Sequence, residues 1–259
     1  MKGTKPFWPS MAMAAACCLA GSDAFAQGGG ASGHREWGYV GPTGPDHWAE
    51  LGEQYRVCAT GTQESPVDLR DPVPARLGEV EARYEAMPLR IANNGHTVQI
   101  DAAPGSALRV GGVEYELAQF HIHHPSEHLL AGRRFPLEIH FVHRGPGDTL
   151  AVLALFVAAG ARNEALAPVF DNLPAQRAAA RTPAGASVRP GDTLPADRRF
   201  LRYNGSLTTP PCTEHVAWVA METPVEAAQE QINRFAALFP MNARPLQALN
   251  RRFLLESTR

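Results

Sequence analysis

Histidine is unusually dense in the stretch AQFHIHHPSEH, where a glutamate lies among four imidazoles. These residues are His121, His123, His124, Glu127 and His128. The segment is typical of a β-strand, in which successive side chains point to opposite faces. His121 and His123 therefore share a face, and His124 points away from it. This spacing allows two histidines to grip one metal ion, but two ligands do not close a site.

A third imidazole lies on the neighbouring segment LEIHFVH. By the same alternation, His140 shares a face with Glu138, and His143 takes the opposite face. Three neutral histidines leave one position of a tetrahedral zinc ion open, which is the pattern of catalytic rather than structural zinc. The sequence therefore predicts a catalytic metal centre at His121, His123 and His140.

A different enzyme class also fits part of this pattern. HIHHPSE matches the first metal motif of cupins, in which Glu127 would be a ligand and iron or manganese the metal. A cupin also needs a later proline-x-glycine followed by a histidine and an asparagine at set spacing, and the chain does not provide it. The cupin interpretation also leaves the segment SLTTPP unexplained.

Three segments together resemble the α-class carbonic anhydrases: QFHIHHPSEH, LEIHFVH and YNGSLTTPPCTEHVAW. Further similar segments follow in the same order: EWGYVGPTGPDHWAEL, ESPVDL, NNGH, LAVLALF and MNARPLQALNRR. The resemblance runs from about Trp37 to Arg252. It implies a single mainly β domain with a central, mostly antiparallel twisted sheet, a few short peripheral helices and zinc in a conical cavity. It also implies reversible hydration of CO2 to bicarbonate by a zinc hydroxide nucleophile.

The resemblance assigns the zinc ligands to His121, His123 and His140 and gives each ring a partner. Gln119 would orient His121, Glu138 would orient His140, and a backbone carbonyl near Asn242 would orient His123. Such partners are needed because each ligand imidazole still carries one N–H that requires an acceptor.

The resemblance also assigns roles around the substrate. Thr208 would donate a hydrogen bond from its hydroxyl to Glu127 and thereby orient the nucleophile, and a backbone amide at Thr209 or Thr208 would meet a substrate oxygen. His96 would carry protons to solvent. An apolar wall for CO2 is expected from Val142, Val152, Leu207, Val216 and Trp218. A water network is expected along Tyr39, Asn94 and Gln99.

Two positions depart from the family pattern. His124 stands where tryptophan or threonine is usual, and we expect it to be a local variation rather than a fourth ligand. Glu64 replaces a common glutamine and adds a carboxylate near the ligand scaffold. His128 is interpreted as a structural hydrogen-bonding residue. A zinc-less binding module is the other alternative, but such a domain would be expected to have lost a ligand histidine.

The N-terminus is typical of an export signal. A basic start, a short apolar run and the motif AFA predict a signal peptide at 1–26, followed by one domain at 27–259. The remaining cysteines, Cys58 and Cys212, are then expected to form a disulfide in an oxidising compartment, and two free thiols are the alternative. Periplasmic or secreted localisation follows.

Charge and hydropathy restrict the partners. The formal net charge is −2 and basic residues form no run, which argues against nucleic acid as a partner. No stretch of the predicted mature chain is apolar enough for stable membrane insertion. The sequence leaves a homodimer open.

Turn residues and hydrophobic patterning predict the main elements. A hairpin is expected at 89–102 around Asn94-Gly95, a strand, Gly-Gly turn and longer strand at 108–123, and further strands at 136–144 and 149–159. Helices are expected at 163–173, with Asn163 as N-cap, and at 223–239, with Thr223 as N-cap, Pro224 at the first helical position and Glu226 completing a capping box.

Overall fold

The computed structural model describes residues 36–258. The predicted signal peptide at 1–26 lies outside the described residues, and the domain boundary at 27–259 stays a prediction. No helix in the described part of the chain is long and apolar enough to cross a membrane.

Strands dominate the described residues, and short helical segments lie between them. The first strands are β1 Asp68–Leu69, β2 Val73–Ala75, β3 Glu81–Arg83, β4 Met87–Pro88, β5 Arg90–Asn93, β6 Val98–Asp101, β7 Ala107–Val110, β8 Val113–His123 and β9 Leu129–Leu130. The later strands are β10 Leu137–Arg144, β11 Leu150–Ala159, β12 Ala178–Arg181, β13 Ser187–Val188, β14 Phe200–Ser206, β15 Glu214–Met221, β16 Val225–Ala227 and β17 Leu255–Ser257. The α-helices are α1 Val57–Thr60, α2 Ala167–Asp171 and α3 Gln229–Leu238. Short 3₁₀ turns occur at Gly41–Thr43, Pro45–Glu50, Glu53–Tyr55, Pro146–Asp148 and Pro190–Thr193.

A large mixed sheet organises these strands. Its main path runs β12-β5-β6-β8-β10-β11-β15-β14-β17-β2, with β16 added beside β11, β7 beside β8, and β3 beside β7. Most neighbours are antiparallel, and the parallel pairs in this sheet are β11 with β15, β11 with β16, and β17 with β2. The predicted mainly β architecture with few short helices is confirmed.

The central strands are buried because both faces of the sheet are covered. β11 is apolar along its whole length, as expected for a strand that has apolar neighbours on both faces. Leu153 and Leu155 of β11 contribute to one apolar cluster, and Val152 and Phe156 contribute to a second. The sheet thus separates two cores, and the second core borders the histidines described below.

Both predicted turns are present. β5 and β6 form the hairpin around Asn94-Gly95, and Gly95 has a φ of 93°, which an L-residue seldom adopts. Gly111 and Gly112 also have positive φ angles and join β7 to β8.

The predicted helices are shorter than expected. The segment 163–173 is helical only at α2, although the Asn163 side chain does accept a hydrogen bond from the Leu166 N–H. The prediction of a helix from Thr223 was wrong, because 225–227 forms β16 in parallel with β11. Helix α3 begins only at Gln229, and the Gln231 side chain accepts the Ala228 N–H at 3.0 Å.

The predicted disulfide between Cys58 and Cys212 is present. It joins α1 to the loop that follows β14, and 154 positions separate the two residues in sequence. Both cysteines are buried with Trp48 and Leu51 in a small third cluster.

We expect the free energy of unfolding of the double variant Cys58→Ser/Cys212→Ser to be about 3–5 kcal/mol lower than that of the oxidised protein, because the cross-link removes entropy from the unfolded chain. Urea unfolding measures this difference. Reductant should destabilise the parent protein and leave the variant unchanged. A difference below about 1 kcal/mol would contradict the expectation.

Candidate metal centre

The register between β8 and β10 brings the three predicted ligands together. His140 lies directly opposite His121, and Glu138 lies opposite His123. The three imidazoles lie side by side, with ring centroids 4.6–5.4 Å apart. One nitrogen from each ring lies within 4.8 Å of the other two.

The remaining nitrogen of each ring already has a hydrogen-bond partner. His121 Nδ1 is 2.8 Å from Gln119 Oε1, His123 Nδ1 is 2.7 Å from Asn242 O, and His140 Nε2 is 2.8 Å from Glu138 Oε1. Each acceptor is thus the one that the resemblance implied. The nitrogens left over are His121 Nε2, His123 Nε2 and His140 Nδ1.

These three rings fit a metal ion chemically as well as geometrically. Burial lowers the pKa of all three, that of His121 well below its usual value and that of His123 to about 4. Neutral imidazole is the form that binds metal. His123 Nε2 is buried and has no hydrogen-bond partner within residues 36–258, which is costly unless it has another partner such as a metal ion.

Glu138 is held by a buried hydrogen-bonded chain. Its Oε1 accepts both His140 Nε2–H and, at 2.7 Å, His128 Nδ1–H, and its Oε2 accepts the His128 backbone N–H at 2.8 Å. His128 Nε2 then lies 2.6 Å from the Tyr203 hydroxyl, which is 2.7 Å from Ser65 Oγ. Burial acts to raise the pKa of Glu138, but the two histidines outweigh it and hold the pKa well below its usual value. These hydrogen bonds account for His128 as a structural residue.

His128, Glu138 and His140 do not form a second metal site, because their nitrogens and oxygens are hydrogen-bonded to one another.

Glu127 lies fully buried beside the ligands. Its Oε1 accepts the Arg244 backbone N–H at 2.8 Å, and its Oε2 is 3.5 Å from His123 Nε2 and 3.8 Å from His140 Nδ1. Burial raises its pKa to about 7, although nearby His140, the Arg244 amide and the Thr208 side chain act to lower it. Its Oε2 has no hydrogen-bond partner within residues 36–258.

The predicted apolar wall is a single packed surface. Val142, Val152, Val216 and Trp218 are buried in the second apolar cluster, and Leu207 packs against it. The Trp218 ring also lies 4.9 Å from the ring of His140, measured between centroids. Apolar side chains therefore border the metal ligands directly.

His96 is anchored by contacts on several sides. Its ring stacks on Trp37 at a centroid distance of 3.7 Å, and its Nε2 is 4.0 Å from a carboxylate oxygen of Glu36. Burial lowers the pKa of His96, Glu36 raises it and Arg177 lowers it. Its backbone carbonyl accepts a hydrogen bond from Asn242, which also holds His123.

The residues expected along the water network differ in their surroundings. Tyr39 is close enough to Glu127 for the carboxylate, together with burial, to raise the Tyr39 pKa. Gln99 lies opposite His121 in the sheet and donates to Asp101. The Asn94 oxygen accepts two backbone N–H groups within its own turn and so serves the hairpin.

Comparison with known proteins decides the family. A family model described as eukaryotic-type carbonic anhydrase matches residues 43–258. A carbonic anhydrase of Nostoc sp. is 40% identical over 226 residues, covering 85% of this chain and 86% of the relative. Another carbonic anhydrase, from Pectobacterium carotovorum, is 37% identical over 223 residues, covering 85% of this chain and 90% of the relative. The chain belongs to the eukaryotic-type, or α-class, carbonic anhydrase family.

A solved structure agrees. The alpha-carbonic anhydrase from Thermovibrio ammonificans, in complex with the inhibitor sulfanilamide, matches with a TM-score of 0.82 and 37% identity, over 85% of this chain and 98% of that one. The predicted resemblance and the predicted enzyme class are therefore confirmed, and the cupin interpretation is excluded. Carbonic anhydrase membership supports CO2 hydration as the reaction.

The two departures from the family pattern lie outside the ligand cluster. The His124 ring lies 2.9 Å from the Pro240 carbonyl, and its backbone N–H donates to Asn242 Oδ1. Glu64 is buried against Arg244. The sequence did not predict that Arg244 contacts Glu64 and Glu127 or that Trp37 stacks on His96. Trp37 lies two positions before Tyr39 in a matched segment, which is the one signal that could have drawn attention to it.

We expect Glu138→Ala to lower the free energy of unfolding of the metal-free protein by about 3–5 kcal/mol, because three buried N–H groups, two of histidine rings and one of the backbone, lose their acceptor. Urea unfolding after chelation measures it. Glu114→Ala is the matched control, since that carboxylate pairs with Arg83 at the surface and should cost at most about 1 kcal/mol. Equal losses in the two variants would contradict the account.

Proposed function

We propose that the chain catalyses reversible hydration of CO2 to bicarbonate and a proton at a zinc ion held by His121, His123 and His140. One observation carries the proposal: three nitrogens from three neutral rings, two buried and one partly buried, converge within 4.8 Å, while the opposite nitrogens are satisfied by protein acceptors. Three histidines leave the fourth tetrahedral position free, as a catalytic zinc requires.

Zinc, when bound, supplies the Lewis acidity that makes water a nucleophile near neutral pH, a shift for which carbonic anhydrase is the reference case. The chain supplies orientation. With its carboxylate ionised, Glu127 can only accept a hydrogen bond from the Thr208 hydroxyl, so the Thr208 oxygen can in turn only accept a hydrogen bond from the attacking oxygen. This arrangement orients the attacking oxygen. It also disfavours ligands at the open metal position that cannot donate a hydrogen bond to Thr208.

CO2 carries no charge, so it needs an apolar surface rather than a charged clamp. Val142, Val152, Leu207, Val216 and Trp218 form such a surface next to the ligands. We assign the backbone amide of Thr209 or Thr208 to a substrate oxygen, since the Thr208 side chain lies beside Glu127, whose Oε2 is 3.5 Å from His123 Nε2.

We expect His140→Ala to abolish zinc binding and to lower CO2 hydration by more than about 100-fold, because loss of a ligand should exceed the 10–100-fold cost of losing a ligand's orienting partner. Stopped-flow CO2 hydration and metal analysis measure the two effects. His124→Ala is the matched control and should retain both. CO2 hydration by His140→Ala at the wild-type rate would contradict the proposal. A correctly folded wild-type protein that takes up no zinc would favour the binding-module alternative.

The proton released in each cycle must reach solvent, and we assign its transfer to His96. The ring is one-fifth exposed, and the pKa lowered by burial keeps it neutral and able to accept a proton at pH 7. We assign Tyr39 and Gln99 to the water path that joins His96 to the ligands, since Tyr39 lies near Glu127 and Gln99 lies opposite His121 in the sheet.

We expect His96→Ala to slow CO2 turnover mainly in weak buffer, by about 10–100-fold, and added imidazole to restore it, because a mobile base replaces the lost side chain. Stopped-flow rates across a buffer series measure this. His47→Ala, at an exposed histidine paired with Glu50, is the control and should leave the CO2 turnover rate unchanged at every buffer concentration. Equal slowing at every buffer concentration would argue against proton transfer through His96.

We further propose that the protein works in the periplasm or is secreted. The disulfide between Cys58 and Cys212 supports an oxidising compartment. The signal peptide at 1–26 and a homodimer stay predictions.

A further inference from the structure

Glu64 is a buried acidic residue for which the proposed reaction has no use. It is 4% exposed, and its Oε2 accepts a hydrogen bond from Arg244 Nη1 at 2.6 Å. Its Oε1 is buried without a hydrogen-bond partner in the described chain. Burial raises the pKa of Glu64 and Arg244 lowers it. Such a group is costly to bury, so its single strong partner is the feature to explain.

Arg244 links Glu64 to the metal centre. Its guanidinium donates to the backbone carbonyls of Ser65 and Cys58, both at 2.8 Å, and lies over the ring of Trp48. Its own backbone N–H is the donor to Glu127 Oε1. The side chain is thus clamped from several directions, and the clamped residue carries the amide that fixes the Glu127 carboxylate.

Ser206 links the same region to Thr208. The Ser206 hydroxyl donates to the Leu207 carbonyl at 2.8 Å and accepts the Ser65 backbone N–H at 2.9 Å, while Glu64 Oε2 lies farther away at 3.4 Å. In return, the Ser206 backbone N–H donates to Ser65 Oγ. Ser206 is the last residue of β14, two positions before Thr208. The segment at 64–65 therefore contacts both chain segments that present Glu127 and Thr208 to one another.

We propose that Glu64 is a positioning residue: through Arg244, and through its neighbour Ser65 to Ser206, it fixes the relative placement of Glu127 and Thr208. The roles of those two residues rest on the proposed function. An acceptor at this position suits the task, because a guanidinium donor that is buried without a partner is costly.

Three variants at this position test the proposal in the zinc-loaded full-length enzyme. Glu64→Ala removes the acceptor and should lower kcat/KM for CO2, measured at high buffer concentration, by about 10–100-fold, since a small misplacement transmitted from outside the reacting groups has that effect. Zinc content should stay at the wild-type level. Glu64→Gln keeps an acceptor for Arg244 and should recover activity to within about threefold of wild type. Glu64→Asp keeps the charge on a side chain one methylene shorter, and its kcat/KM should lie between those of Glu64→Ala and Glu64→Gln.

A second measurement does not depend on turnover. Hydrogen exchange of the Arg244 backbone amide, followed by NMR, reports directly on its hydrogen bond to Glu127. We expect exchange at least about tenfold faster in Glu64→Ala and close to wild type in Glu64→Gln, because only the first loses the clamp. A residue that merely stabilised the fold would raise exchange throughout the sheet rather than at this amide.

Glu222→Ala is the matched control. Glu222 is a partly buried carboxylate paired with Arg199 at the opposite end of the β14–β15 pair from Ser206, so its removal should leave kcat/KM and the Arg244 amide unchanged. The proposal is overturned if Glu64→Ala retains both wild-type kcat/KM and wild-type Arg244 exchange. It is also overturned if Glu64→Gln is as impaired as Glu64→Ala, which would assign the effect to net charge.

Two further outcomes keep the test decisive. Should Glu64→Ala not fold, Glu64→Asp replaces it, and unchanged activity and exchange in that variant overturn the proposal. If the wild-type protein itself does not hydrate CO2, the proposed function fails, while the Arg244 exchange rates still test the link from Glu64 to Glu127.

Discussion

The antiparallel register between β8 and β10 is the constraint on which the metal centre depends. Alternation along each strand places the histidines on one face, but only the pairing of His121 with His140 brings the third ring to the first two. A slip of one residue would turn the ring of His140 to the opposite face. The register is secured by the long apolar strands that flank it, above all β11, so the core of the sheet determines the geometry of the site.

Burial imposes a second requirement, because every polar atom near the ligands must have a partner. Glu138 meets it by accepting from His140 and from His128, and the chain continues through Tyr203 to Ser65. Ser65 also contacts Ser206, which lies beside Glu64. The network around the ligands is therefore continuous with the support of Glu127 and Thr208, and one set of hydrogen bonds holds both.

Local patterns predicted local structure well and distant contacts poorly. Strand alternation assigned the faces of His121, His123 and His140 correctly, because period two is a property of any extended chain. Thr223, Pro224 and Glu226 have the composition of a helix start, yet pairing with β11 makes this segment a strand. The contacts of Glu64 and Glu127 with Arg244 could not be read from the sequence. Arg244 lies 180 positions from Glu64, and its role comes from a backbone amide that no residue pattern reveals. Recognition of the family supplied the remaining roles.

The central claim is that a zinc ion held by three histidines makes this chain hydrate CO2. The most direct measurement is stopped-flow CO2 hydration by one purified sample before chelation, after removal of the metal and after zinc is returned, with metal analysis at each stage. The account predicts about one zinc per chain at the start, loss of activity with loss of zinc, and recovery of both together. Full CO2 hydration by the metal-free protein would contradict it, as would a protein that regains its zinc but shows no CO2 hydration.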